Sequence, residues 1–90
     1  MYLLEELILN YDKISFNKKQ KLIKCVNMVI DDFCTPKQKQ AFFLRQQGKT
    51  LDEIGEEMGG ITKGVVSRHI LKAIKIIERH LQYILPLLED

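Results

Sequence analysis

Residues 50–75 read TLDEIGEEMGGITKGVVSRHILKAIK, and the folding of this stretch decides the architecture of the chain. Thr50 followed three residues later by Glu53 forms a capping box, in which each side chain takes up a backbone N–H that a first helical turn leaves without a partner. A short helix is expected from there. Leu51, Ile54 and Met58 fall on one face of it, with Asp52, Glu53, Glu56 and Glu57 around the rest. Gly59 and Gly60 end it, because a glycine just past a helix adopts the left-handed conformation without a Cβ clash. Thr62 then supplies an N-cap, and Ile61 before it is placed to pack on Val66 as a hydrophobic staple. In the helix that follows, from about Lys63 to Leu85, Val66, Ile70, Ala73, Ile74, Ile77 and Leu81 share one side. Gly64, Arg68, Leu71, Lys72, Lys75 and Arg79 share the other. A short helix, a glycine turn and a longer helix with a basic outer face make the helix-turn-helix arrangement, whose second helix enters the DNA major groove.

Outward from this stretch, the signals continue to be helical. Thr35, Pro36 and Gln38 combine an N-cap, a proline at the first helical position and a capping-box partner. Ala41, Phe42, Phe43 and Leu44 give that helix its packing surface, and Gly48 stops it. Asn17 with Gln20 is a further capping-box candidate, so a helix is expected from Lys18. Its stripe is Leu22, Val26, Val29, Ile30 and Phe33, widened by Ile23, Cys25 and Met28. Lys18, Lys19, Lys21 and Lys24 near its start oppose the helix dipole. Leu3, Leu4, Leu7, Ile8 and Tyr11 mark a short helix over 2–12, and Pro86 is expected to end the last helix at Leu85. The expected fold is all-α with about five helices. An N-terminal helical segment, 1–34, supports or dimerises a unit over 35–90, and the two form one compact domain.

Ninety residues lie near the lower end of what buries a self-sufficient core, so pairing with a second copy would help. The composition, 46% hydrophobic and 29% charged, is globular, and no apolar run reaches membrane-spanning length. The opening MYLLEELILN has no basic flank or cleavage site of a secretory signal, which implies a cytoplasmic protein. Cys25 and Cys34 match neither a redox pair nor a zinc motif, and His69 and His80 have no ligand-spaced companions, so no metal or cofactor is expected. No nucleophile–base set, catalytic carboxylate pair or phosphate loop can be assembled, which argues against an enzyme. The net charge of +2 is small, but its distribution is uneven. Residues 50–59 hold four acids and no base, whereas residues 62–79 hold five bases against Glu78 alone.

Over Thr35 to about Leu81 the chain resembles the fourth conserved region of bacterial sigma-70 family factors and the related sigma-like regulators, many of them phage-encoded. The residues that carry the likeness are the Thr35-Pro36 helix start, the aromatic supporting helix and Gly48. Leu51, Ile54, Gly55, Met58, Ile61, Thr62, Gly64, Val66 and Ala73 follow in order. Gly59-Gly60 is one residue longer than the family's usual single glycine, and Gly55 stands where the family often has alanine, with the same need for a small residue at a helix crossing. The first 34 residues do not resemble the sigma regions that bind the promoter's minus-ten element, so a stand-alone regulator is expected.

The resemblance and the charge pattern together imply a transcriptional regulator that binds double-stranded DNA as a homodimer. Thr62 and the first N–H groups after it would hold a phosphate. Lys63, Ser67, Arg68, Leu71 and Lys72 would reach base edges, Arg68 foremost because its fork matches the two guanine acceptors. Lys37, Lys39, Lys49, Lys75 and Arg79 would serve phosphates. The alternative is an adaptor that binds RNA polymerase or another protein, favoured by apolar residues around the last helix: Ile76, Tyr83, Ile84, Leu85, Leu87 and Leu88. Candidate dimer surfaces are the stripe Leu3, Leu4, Leu7 and Ile8, and the stripe Ile77, Leu81, Ile84, Leu85 and Leu88.

Overall fold

A computed structural model describes residues 16–88, with side-chain environments from 17 to 83. The expected helix over 2–12 and the side chains of Ile84, Leu85, Leu87 and Leu88 lie outside the described residues. Within them the chain forms four α-helices: α1 (Phe16–Phe33), α2 (Pro36–Gln46), α3 (Leu51–Glu57) and α4 (Lys63–Leu88).

Two capping boxes set the start of α2 and α3. The Gln38 N–H donates to Thr35 Oγ1 at 3.2 Å while the Thr35 N–H donates to Gln38 Oε1 at 3.0 Å. Thr50 and Glu53 repeat the exchange at the same two distances. Each box satisfies two donors that would otherwise face water or nothing. Gly48, at φ 86°, turns the chain out of α2; its N–H donates to the Arg45 carbonyl at 3.0 Å. The Arg45 guanidinium closes the same turn by donating to the Lys49 carbonyl at 2.9 Å.

α4 is the spine on which the others pack. Toward its N-terminal end Val66 and Ile70 meet Ala41 of α2 and Ile54 of α3, with Leu44, Leu51, Met58 and Ile61 around them. Further along, Ala73, Ile77 and Leu81 meet Leu22, Val26, Val29 and Ile30 of α1 and Phe42 of α2. Adjacent Ala41 and Phe42 therefore serve different clusters, and Ile74 packs against both. Full burial of a side chain such as Phe42, Leu22 or Ile77 is worth ~1.5–3 kcal/mol each, so this spine supplies most of the hydrophobic stabilisation of a small domain.

Several sequence expectations need correction. α1 is already helical at Phe16, so Asn17 lies inside the helix and lacks the extended backbone that an N-cap requires. Met28 and Phe33 are exposed rather than part of the buried stripe, because the contact with α4 is carried by Leu22, Val26, Val29 and Ile30. α4 continues through Pro86 to Leu88. The proline forfeits one hydrogen bond in the final turn, where only two helical residues follow, and that loss does not end the helix. Ile77 and Leu81, expected on a dimer surface, are buried against α1 within a single chain.

Candidate nucleic-acid interface

The connection between α3 and α4 fixes how the long helix is presented. Gly59 and Gly60 have φ of 92° and 86°, and neither would meet any atom with an added Cβ. Backbone conformation, not space, requires glycine at both. The Gly60 and Ile61 N–H groups both donate to the Gly55 carbonyl, at 2.9 and 3.1 Å, which folds the turn back onto α3. The consequence falls on Gly55. A Cβ there would lie 2.3 Å from the Ile61 carbonyl oxygen and 3.7 Å from Val66 Cγ2. The need for a small residue thus comes from the turn's own backbone rather than from the crossing of two helices, and it is strict enough that alanine does not serve the same purpose.

Past the turn, Thr62 caps α4: its Oγ1 accepts from the Val65 N–H at 3.3 Å and its carbonyl from the Val66 N–H at 3.0 Å. Ile61 packs beside Val66 as the staple requires. The phase of α4 is then set by its buried positions, and the remaining side chains follow. Lys63, Gly64, Arg68, Leu71, Lys72, Lys75 and Arg79 are all exposed, while Ser67 is half-buried at the edge of the stripe. From Gly64 to Arg79 the outward stripe covers about 22 Å of helix axis at 1.5 Å per residue, whereas Lys63, about five turns before Leu81, lies off it at the start of the helix.

The remaining candidates are not equivalent. Lys37, in the first turn of α2, is exposed. Lys39 pairs with Asp31 of α1, and Lys49 pairs with Glu57 of α3. Both pairs are solvent-accessible, so they stabilise the fold little, but each offsets a charge otherwise offered to a ligand. No spacing rule within a single helix could have revealed them, since one joins two helices and the other joins the α2–α3 connection to α3. No protein-family model, curated protein or solved structure matches the chain.

Elsewhere the polar groups have local roles. The hydrogen bonds from the Thr50 backbone and side chain, with the charge of Lys49 adding to them, hold the Glu53 carboxyl below its usual range. Burial pushes the Cys34 thiol up, which favours its protonated form. His80 stacks on Phe33 with ring centroids 4.3 Å apart, and its Nδ1–H donates to the Ile76 carbonyl at 2.8 Å. Among the described residues no group of three or more His, Cys, Asp and Glu could hold a metal ion, and no helix is long and apolar enough to cross a membrane.

Proposed function

We propose that the chain is a cytoplasmic, sequence-specific DNA-binding transcriptional regulator of the sigma region 4-like kind, with α3, the glycine turn and α4 as its helix-turn-helix. It is a binding module rather than an enzyme. The observation that supports this is the division of α4: Val66, Ile70, Ala73, Ile77 and Leu81 are buried, while Arg68, Lys72, Lys75 and Arg79 all point outward. A helix anchored along one side and basic along the other, projecting from a tight turn, has the shape and charge to lie in a major groove. Arg68 takes guanine, Lys63, Ser67, Leu71 and Lys72 lie near base edges, and Lys37, Lys75 and Arg79 meet phosphates. Thr62 and the N-terminal end of α4 face a phosphate as well. Lys39 and Lys49 contribute only by exchanging their carboxylate partners for phosphate.

Selection of bound duplexes from a random DNA library, followed by affinity measurements at several salt concentrations, tests this. An enriched motif with a steep salt dependence is expected; no enrichment and no binding at low salt refutes it. A second copy belongs to the proposal because one stripe makes few phosphate contacts, and sedimentation equilibrium checks it: a mass near 10.5 kDa at every concentration means a monomer. Exposed Phe33 and Tyr83 favour a second reading, an adaptor docked on RNA polymerase or another protein. That reading predicts no sequence enrichment in the selection.

A further inference from the structure

Leu71 is 54% exposed, belongs to neither core cluster, and is the one aliphatic side chain among the exposed described positions of α4. An exposed leucine is ordinary on a protein surface, but its place here is not. It sits on the outward stripe one turn after Arg68 and one turn before Lys75, with Lys72 beside it. Arg68, Lys72 and Lys75 flank it on one side and would suit a ligand of phosphates, whereas Ser67, Ile74 and, about two turns on, Glu78 lie on the other; an aliphatic group at that border has nothing to do in a contact with phosphates alone. The major groove offers one apolar group among its donors and acceptors, the 5-methyl of thymine.

We infer that Leu71 reads a thymine methyl, so that the DNA site contains a thymine close to the guanine taken by Arg68. The inference rests on the DNA-binding function proposed above and adds the identity of a base to it. Three residues of helix advance ~4.5 Å along the axis, against ~3.4 Å per base pair, so the thymine lies within one or two base pairs of that guanine. Discrimination is by desolvation: the methyl and the leucine leave water together, whereas a base without the methyl leaves the leucine against polar edges.

The test uses the full chain and the duplex most enriched from a random library. Each thymine of that duplex is replaced in turn by uracil, which removes the methyl and keeps the pairing. One position is expected to weaken wild-type binding about four- to tenfold, and Leu71→Ala, folded as wild type by circular dichroism, is expected to bind the thymine and uracil duplexes equally. If no uracil substitution weakens binding, or if Leu71→Ala retains the full preference for thymine, the role of Leu71 is overturned while DNA binding stands. If selection enriches no sequence at all, the DNA-reading function falls and this inference with it.

Discussion

Replacing Gly55 by alanine tests the geometry on which the presentation of α4 depends. Gly55 lies within α3, and in a helix without tertiary constraints alanine would be preferred by ~0.8–1 kcal/mol. Here the added Cβ would stand 2.3 Å from a backbone oxygen, and backbone cannot swing aside as a flexible side chain does. Relief requires the Ile61 carbonyl to move, and the backbone immediately before it is tied to the Gly55 carbonyl by the two turn hydrogen bonds from the Gly60 and Ile61 N–H groups. Overpacking costs ~1–3 kcal/mol and each loosened hydrogen bond about 1 kcal/mol more, so the net effect is a destabilisation of about 1–3 kcal/mol. For a domain of this size that lowers the melting temperature by roughly 4–24 °C. Gly64→Ala is the matched control: its Cβ would meet only Thr62 Oγ1, at 3.9 Å, and its φ is not positive. That variant should gain about 0.5 kcal/mol or slightly more. Thermal and urea unfolding followed by circular dichroism measure both variants. If Gly55→Ala is as stable as Gly64→Ala, the close approach of the turn to α3 does not exist in solution.

Arg68→Ala removes an exposed side chain and should leave stability unchanged while weakening specific DNA affinity by about 1–3 kcal/mol and relaxing preference at one base position, read by titration of the selected duplex. Val66→Asp places a carboxylate at a fully buried site between Ala41, Ile54 and Ile70 and should cost on the order of 3–5 kcal/mol; an unchanged melting temperature would mean that the phase of α4 is wrong. The Glu53 carboxyl, lowered by its bonds to Thr50, stabilises the fold above the ordinary value of 4.5 and loses that contribution as pH falls through its lower folded value. Glu53→Gln should therefore flatten part of the fall in melting temperature below pH 4.5, and an identical pH profile for both proteins would contradict the capping role.

What could be read in the sequence was what local chemistry determines. Thr35 with Gln38 and Thr50 with Glu53 need only their own turn to make a capping box, and both boxes are complete in the structure. The buried face of α4 follows from a period that any helix shares, and Val66, Ile70, Ala73, Ile77 and Leu81 all lie on it. Expectations failed where a second element decides. Ile77 and Leu81 look like a spare apolar surface until α1 is laid against them, and Phe33 looks like core until the crossing leaves it beside His80. Gly55 is the subtlest case. Its small size was readable, but the strictness of the requirement depends on a carbonyl six residues away, brought close by two glycines in the left-handed conformation.

The same dependence on partner elements governs the electrostatics. Counted along the chain, Lys37, Lys39, Lys49 and the bases of α4 form one positive set, but in space the set divides. Asp31 offsets Lys39 and Glu57 offsets Lys49, whereas Lys37, Lys63, Arg68, Lys72, Lys75 and Arg79 have no ion pair among the described residues. α3 meanwhile exposes Asp52, Glu53 and Glu56. Positive charge therefore lines the outer stripe of α4, as it does the start of α1 at Lys19, Lys21 and Lys24, while the neighbouring short helix carries acids. In the proposed complex, phosphates are drawn to one side of the turn and repelled by the acidic face on the other, an effect that reaches about 8 Å at physiological salt. Under the proposed function, a duplex approaching in that field would be turned toward α4 as it comes within reach. On the proposed function, the small net charge of +2 would be compatible with specific binding: the acids of α3 that reduce the total would also reduce the number of ways in which a duplex meets α4, and a helix that read bases would depend on orientation more than on charge.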